Sequence, residues 1–268
     1  MTPTSPGEKR DFPGMAAEAG RIEPALRRVR GMLNGEVVFD TTRALYVWEW
    51  PPYPQYYIPV EDVTARFLVD EQQVDEQHEQ RLRGGTAQRH GLMVGDVHRE
   101  HAARVYGTET QPGIAGTVSF EWTALDAWFE EDEEIFVHPR NPYTRVDALR
   151  SRRHVRVESN GVVLAETTSP VLVFETGLPT RYYIDKTDVR FAHLVPSDTA
   201  TSCPYKGTTT AYWSVQVDDT LQEDLAWAYN HPTTALAPIT GMVAFYNEKL
   251  DIVLDGRPLD RPITHLVD

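Results

Sequence analysis

Apolar and polar positions alternate with period two through much of the chain, the pattern of strands that bury one face. Val162-Val163-Leu164, Val171-Leu172-Val173-Phe174 and Tyr182-Tyr183-Ile184 are β-branched or aromatic runs bounded by Asn160-Gly161, Ser169-Pro170 and Gly177-Leu178-Pro179, the composition and punctuation of short strands. Asn-Gly between two such runs supplies the positive φ angles of a two-residue hairpin turn. Helical spacing is confined to Gly20 to Arg28, Asp96 to Val105 and His231 to Leu236. The expectation is a mainly β protein of antiparallel sheets with short helices.

The strand pattern occurs twice. Asn34-Gly35 and Asn160-Gly161 both sit between apolar segments, 126 positions apart, and at that shift Val29 to Val63 matches Val155 to Val189 without a gap. Thr41-Thr42 falls on Thr167-Thr168, Glu49 on Glu175, Tyr56-Tyr57-Ile58 on Tyr182-Tyr183-Ile184, and Asp62-Val63 on Asp188-Val189. Further on, Gly116-Thr117 with Trp122 is matched to Gly207-Thr208 with Trp213, and Trp128-Phe129 to Phe245-Tyr246 at a shift of 117. That alignment implies that each copy is elaborated in a different place, 53 positions against 18 before the Gly-Thr pair and 6 against 32 after the Trp. Tandem copies of one small antiparallel domain follow from the match. The expected organisation is an N-terminal segment 1–24, a first copy 25–149 and a second copy 150–268, joined near Arg150-Ser151-Arg152-Arg153.

Composition narrows the partners. The formal charge of -14 repels phosphate backbones, and no stripe of Lys and Arg with interleaved aromatics offsets it, so nucleic acid is not an expected partner. Acidic runs at Glu130-Glu131-Asp132-Glu133-Glu134 and from Asp70 to Glu79 read as solvated surface. The single cysteine, Cys203, rules out an internal disulfide and fits a reducing compartment. Met1 to Gly20 has no apolar run, and no stretch approaches the ~18 apolar residues of a membrane helix. The expectation is a cytoplasmic protein without a membrane partner.

In the second copy, Thr201-Ser202-Cys203-Pro204-Tyr205-Lys206-Gly207 followed by Ala211-Tyr212-Trp213 resembles the signature of the family catalogued as domain of unknown function 427. Ala226-Trp227-x-Tyr229-x-x-Pro232 and Ile239-x-Gly241-x-Val243-Ala244-Phe245-Tyr246 are similar to its remaining blocks, so the resemblance spans 155–262. The first copy looks like a degenerate member that keeps the strand pairs but has no Cys-Pro-x-Lys-Gly. The resemblance implies a compact β fold and no settled activity. An older nucleotidyltransferase-like label attached to the family does not fit the residues: nucleotidyl transfer needs carboxylates that hold metal ions against a triphosphate, and no Gly-Lys-Ser/Thr loop or Gly-Ser element before an Asp-x-Asp pair occurs.

Chemistry is therefore sought in what the second copy has and the first lacks. Cys203 precedes a proline, which biases it to extended backbone, and the turn through Lys206 and Gly207 can bring an ammonium to the thiol; a small buried residue at a tight turn is the competing account. Glu175 and Arg181 flank Thr176 to Thr180 and, if that loop closes a hairpin, stand opposite each other as a cross-strand ion pair. In the first copy Glu49 survives while Gln55 replaces Arg181. Tyr182 and Tyr183 alternate faces, and Tyr183, Trp213 and Tyr229 line either a core or an apolar pocket. His98-x-x-His101 would share one helix face, a spacing metals accept, but has no third ligand in view. His138, His231 and His265 sit beside a proline or in polar turns. No metal or cofactor is expected.

Two functional expectations follow. One is a metal-independent acid/base enzyme of lyase, cyclase or hydrolase type acting on a small organic metabolite, with Glu175 as general base, Arg181 orienting an anionic group, and Cys203 with Lys206 polarising the substrate. The other is a non-catalytic small-molecule-binding module or, on the acidic surface alone, an interaction scaffold. Neither expectation specifies an oligomeric state.

Overall fold

The computed structural model describes residues 17–51, 53–71, 87–107, 110 and 113–264. They fall into two compact units, the first ending at Pro142 and the second beginning at Tyr143. The protein is mainly β and every strand pairing is antiparallel.

In the first unit a seven-stranded sheet runs in the order Ile22–Pro24, Leu45–Trp50, Tyr53–Pro59, Thr117–Phe120, Val97–Tyr106, Ala87–Val94, Leu68–Asp70. A four-stranded sheet runs Glu133–Ile135, Ala127–Glu130, Val29–Leu33, Glu36–Thr41. The second unit repeats both. Val146–Arg150, Val171–Glu175 and Arg181–Tyr183 are joined through the single bridge Ile184 to Val243 to the strands Val243–Phe245, Thr220–Ala228, Ala211–Val217 and Leu194–Ser197. Its smaller sheet runs Arg257–Pro258, Asp251–Leu254, Val155–Ser159, Val162–Thr167. A two-stranded ribbon, Ser202–Cys203 with Gly207–Thr208, completes the described strands.

The two Asn-Gly turns are the same turn. Asn34 and Gly35 have φ of 51° and 75°, Asn160 and Gly161 of 51° and 79°, the doubly left-handed path that suits the twist of a hairpin. The strands leading in carry equivalent bulges, between Gly31 and Met32 and between Val157 and Glu158.

Beyond Val63 the pairing corrects the sequence alignment. Ile58 lies opposite Val118 and Ile184 opposite Val243, so Gly116-Thr117-Val118 corresponds to Gly241-Met242-Val243, not to Gly207-Thr208. Trp128 faces Gly31 and Ile252 faces Val157, so Trp128-Phe129 corresponds to Ile252-Val253, not to Phe245-Tyr246. Residue identity misled here because register is set by ladder hydrogen bonds, and Trp122 begins a 3-10 turn outside the ladder. The copies are therefore of nearly equal length between these strands: Val63 to Val118 spans 55 positions and Val189 to Val243 spans 54. The expected separate elaborations do not exist.

Two expected helices are strands. Gly20 to Arg28 contains the strand Ile22–Pro24 and a left-handed Leu26. Asp96 to Val105 lies in the strand Val97–Tyr106, where a bulge at His101, φ 55°, interrupts the alternation and buries Ala102 and Ala103 together, imitating helical spacing. The third stretch is in part helical, as the 3-10 segment Thr234–Ile239.

Each unit packs its main core between its two sheets and a smaller apolar cluster on the opposite face of the larger sheet. Tyr56 and Tyr182 belong to the main cores, and their neighbours Tyr57 and Tyr183 to the outer clusters, as strand alternation requires. Glu130 departs from the expected solvated acidic run. Its side chain is buried and accepts from Arg27 and from the Tyr56 hydroxyl, because a strand residue facing inward is dry whatever its chemistry. Residues 72–79 of the other acidic run, and His265, lie outside the described residues.

Candidate functional site

The outer cluster of the second unit holds two of the residues singled out from the sequence, Tyr183 and Tyr229. Tyr183 projects from Arg181–Tyr183, Tyr229 follows Thr220–Ala228, and both are buried with Val171, Val173, Tyr212, Trp227 and Ile239. Trp213 is placed elsewhere. Its neighbour Tyr212 takes the outer face, so Trp213 packs toward the main core and meets Phe191 edge-on, ring centroids 5.7 Å apart.

The Cys-Pro-Tyr-Lys-Gly turn is stapled beside this cluster. Thr209 N donates to Thr201 O at 2.9 Å, Thr233 N to Lys206 O at 3.2 Å and Thr233 Oγ1 to Tyr205 O at 2.6 Å. Gly207 has φ +94°, a conformation side chains oppose, and a Cβ there would meet the carbonyl oxygen of His231 at 3.4 Å. The turn thereby aims Lys206 inward. Its ammonium donates to Glu175 Oε2 and lies 3.6 Å from Cys203 Sγ, with the Lys206 and Glu175 side chains only 10% and 9% exposed and Cys203 half-buried. Burial alone would lower the Lys206 pKa; the Cys203 sulfur and the Glu175 carboxylate outweigh it and hold the ammonium above its ordinary value. Burial pushes the Tyr183 phenol up to about 12, and Tyr229 and Tyr246 are raised for the same reason.

Glu175 and Arg181 do not pair. Arg181 lies opposite Val173, two residues short of Glu175, so the loop from Thr176 to Thr180 offsets rather than aligns them. Arg181 is buried and gives both terminal nitrogens to Glu248, with Nη2 to Oε1 at 2.6 Å, and also donates to Asn247. Its guanidinium carbon lies 5.4 Å from the Tyr246 ring centroid and 5.7 Å from that of Trp227. Desolvation would raise the Glu248 carboxyl, but hydrogen bonds from Arg181 hold it below the usual carboxylate range. Arg181 is thus already engaged by a carboxylate of the chain itself. Asn247 and Glu248 escape the sequence reading because the misplaced register sets them on Glu130 and Glu131, in a run read as solvated surface. With the register corrected they directly follow the Phe245-Tyr246 that matches Phe120-Glu121.

The first unit carries the same cluster on residues without a Cys-Pro-x-Lys-Gly sequence, the counterpart of the turn lying outside the described residues. Glu49 accepts from the Tyr57 hydroxyl at 2.8 Å, and the Tyr57 oxygen lies 3.2 Å from the Tyr106 hydroxyl, from which it accepts. Tyr57, Tyr106 and Glu49 occupy the places of Tyr183, Tyr229 and Glu175, while Arg104 stands where the second unit has Trp227. In the second unit Lys206 takes the carboxylate, and Trp227 Nε1 donates to Tyr183 at 3.2 Å.

His98 and His101 share a strand rather than a helix, and each unit is bulged at this point, with His101 at φ 55° and Asp224 at φ 53°. Asp224 N is held by Ser214 Oγ at 3.1 Å. In the first unit Gly91 stands in place of Ser214 and leaves room for Glu71, which accepts from His101 N at 2.9 Å and holds Nδ1 at 2.8 Å. Among the described residues no three His, Cys, Asp or Glu side chains are grouped to hold a metal ion, and no helix is long and apolar enough to cross a membrane.

A family profile described as Domain of unknown function (DUF427) matches the chain twice, over residues 21–131 and 147–256. No curated protein matches it.

Proposed function

The chain belongs to the family described as Domain of unknown function (DUF427), in two tandem copies, and on that premise we propose that its second repeat is an acid/base enzyme of lyase, cyclase or hydrolase type acting on a small organic molecule at Cys203, Lys206 and Glu175. One observation carries the reading: a buried ammonium is shared between a buried carboxylate and a half-buried thiol. The ammonium stands beside the sulfur that would attack, where it can meet the charge developing on a bound substrate. In this reading Cys203 meets the substrate, Lys206 stabilises the charge that develops there, and Glu175 fixes Lys206 and exchanges its proton. Tyr183 and Tyr229 are neutral walls. Arg181, occupied by Glu248, is a positioning residue that sets Tyr246 and Trp227. The lone thiol accords with a reducing, cytoplasmic setting.

A binding module without turnover is the second reading, favoured by the way each charged group of the cluster is already partnered. One experiment separates the two. Purified full-length chain is mixed with a fractionated metabolite extract and followed by native mass spectrometry, and retained compounds are incubated with the protein and re-assayed. Consumption by the wild type and not by Cys203→Ser supports the enzyme. Retention without consumption supports the binding module. Equal retention by a folded Lys206→Met variant, or none by the wild type, removes both.

A further inference from the structure

We propose that Cys203 and Lys206 form a peroxide-triggered covalent pair, in which the oxidised thiol is captured by the lysine amine as a reversible sulfur–nitrogen link. The ordinary fates of a sulfenic acid are capture by a second thiol, condensation with a neighbouring backbone N–H, or over-oxidation. The first is closed within the chain, because Cys203 is its only cysteine. The second is closed at the adjoining peptide, because the residue after Cys203 is Pro204, whose nitrogen carries no hydrogen. A nucleophile in reach is Lys206 Nζ, 3.6 Å from Sγ.

The geometry holds that nucleophile in place. Cys203 and Gly207 are paired across the ribbon, so the turn between them cannot open without breaking the Thr233 contacts to Tyr205 and Lys206. Lys206 is buried and its ammonium is bonded to Glu175, so the proton that must leave nitrogen before it attacks has an acceptor already in contact. Cys203 is half-buried rather than sealed in the core. The first repeat has no Cys and no Lys, and its described strands keep the same order in both sheets, so the pair is not required to build those sheets.

The chemistry balances with hydrogen peroxide as oxidant. Sγ attacks one peroxide oxygen, the O–O bond breaks, and sulfenic acid and water form. Lys206 passes a proton to Glu175, its lone pair attacks Sγ, the S–O bond breaks, and hydroxide leaves with a proton as water. The sum is thiol, ammonium and hydrogen peroxide giving the S–N link, two waters and one proton. Sulfur is oxidised and peroxide reduced, and two equivalents of an external thiol reverse the step. The link removes both the nucleophile and the ammonium of the proposed centre, and so switches it off. Only that consequence rests on the enzyme reading; the link rests on the geometry.

The test is intact and peptide mass spectrometry of the full-length chain treated with hydrogen peroxide. The expected product has lost two hydrogen atoms and gained no oxygen, contains Cys203 joined to Lys206, and reverts with dithiothreitol. Lys206→Arg keeps a cation beside Glu175 but has no attacking amine, so it accumulates sulfinic acid at Cys203 and no link. Wild type that gains oxygen like Lys206→Arg, or that leaves the thiol unmodified, overturns the proposal. Failure of the link with ligand retention intact refutes this inference alone; a link without any retained ligand leaves it standing while the enzyme reading falls.

Discussion

Replacing Arg181 by Gln, the residue the first repeat carries at Gln55, tests how the second outer cluster is held. Were the pair exposed, its loss would cost ~0 to 1 kcal/mol. It is not exposed: the Arg181 and Glu248 side chains are 6% and 4% accessible, and removing one partner leaves a buried, unpaired carboxylate, which costs about 3–5 kcal/mol. Loss of the guanidinium from the faces of Tyr246 and Trp227 adds to this by about 0.5 kcal/mol or more. At ~3 °C per kcal/mol for a unit of this size, the second unit should melt about 10–15 °C lower at neutral pH. The pH dependence follows from linkage. The folded carboxyl of Glu248 is lowered by Arg181, so its contribution is present above the unfolded carboxylate pKa and is lost as pH falls through the folded value. The gap between wild type and Arg181→Gln in calorimetry should therefore be widest near pH 7 and close as the solution is acidified below about pH 4. Glu248→Gln on top of Arg181→Gln should recover part of the loss. A single variant within about 1 kcal/mol of wild type at pH 7, or a gap independent of pH, refutes the reasoning.

Gly207→Ala places a side chain at φ +94° against the His231 carbonyl and should cost about 1–2 kcal/mol, read as a lower melting temperature with earlier proteolysis of the Cys203 turn. Tyr183, with its folded pKa raised to about 12, contributes stability that is complete below the ordinary phenol value and disappears as pH rises through about 12; in alkaline absorbance titration Tyr183→Phe should remove a late-ionising phenol, and an unchanged titration curve would count against its burial. Asn34→Ala and Asn160→Ala, at turns with the same φ of 51°, should each destabilise their own unit by about 1 kcal/mol; costs that differ by more than ~1 kcal/mol would deny the equivalence of the turns.

Much of this architecture is legible in local chemistry. β-branched and aromatic runs, Asn-Gly pairs that readily take two left-handed residues, and the ungapped match from Val29 to Val63 locate the strands and the duplication, because strand alternation and turn conformation depend on a few adjacent residues. The nearness of Cys203 and Lys206 is legible for the same reason, since three positions and a tight turn separate them. The partners of the charged groups are not. Glu175 meets Lys206 from 31 positions away and Arg181 meets Glu248 from 67, and which pair forms depends on a register set by hydrogen bonds between distant strands. Nor does periodicity reveal the bulge at His101, whose extra residue turns an alternating strand into a helix-like pattern. Local rules say that a segment is a strand and which residues can share a face; the ladder it joins, and so the charge it buries against another, is settled when the sheets close over their cores.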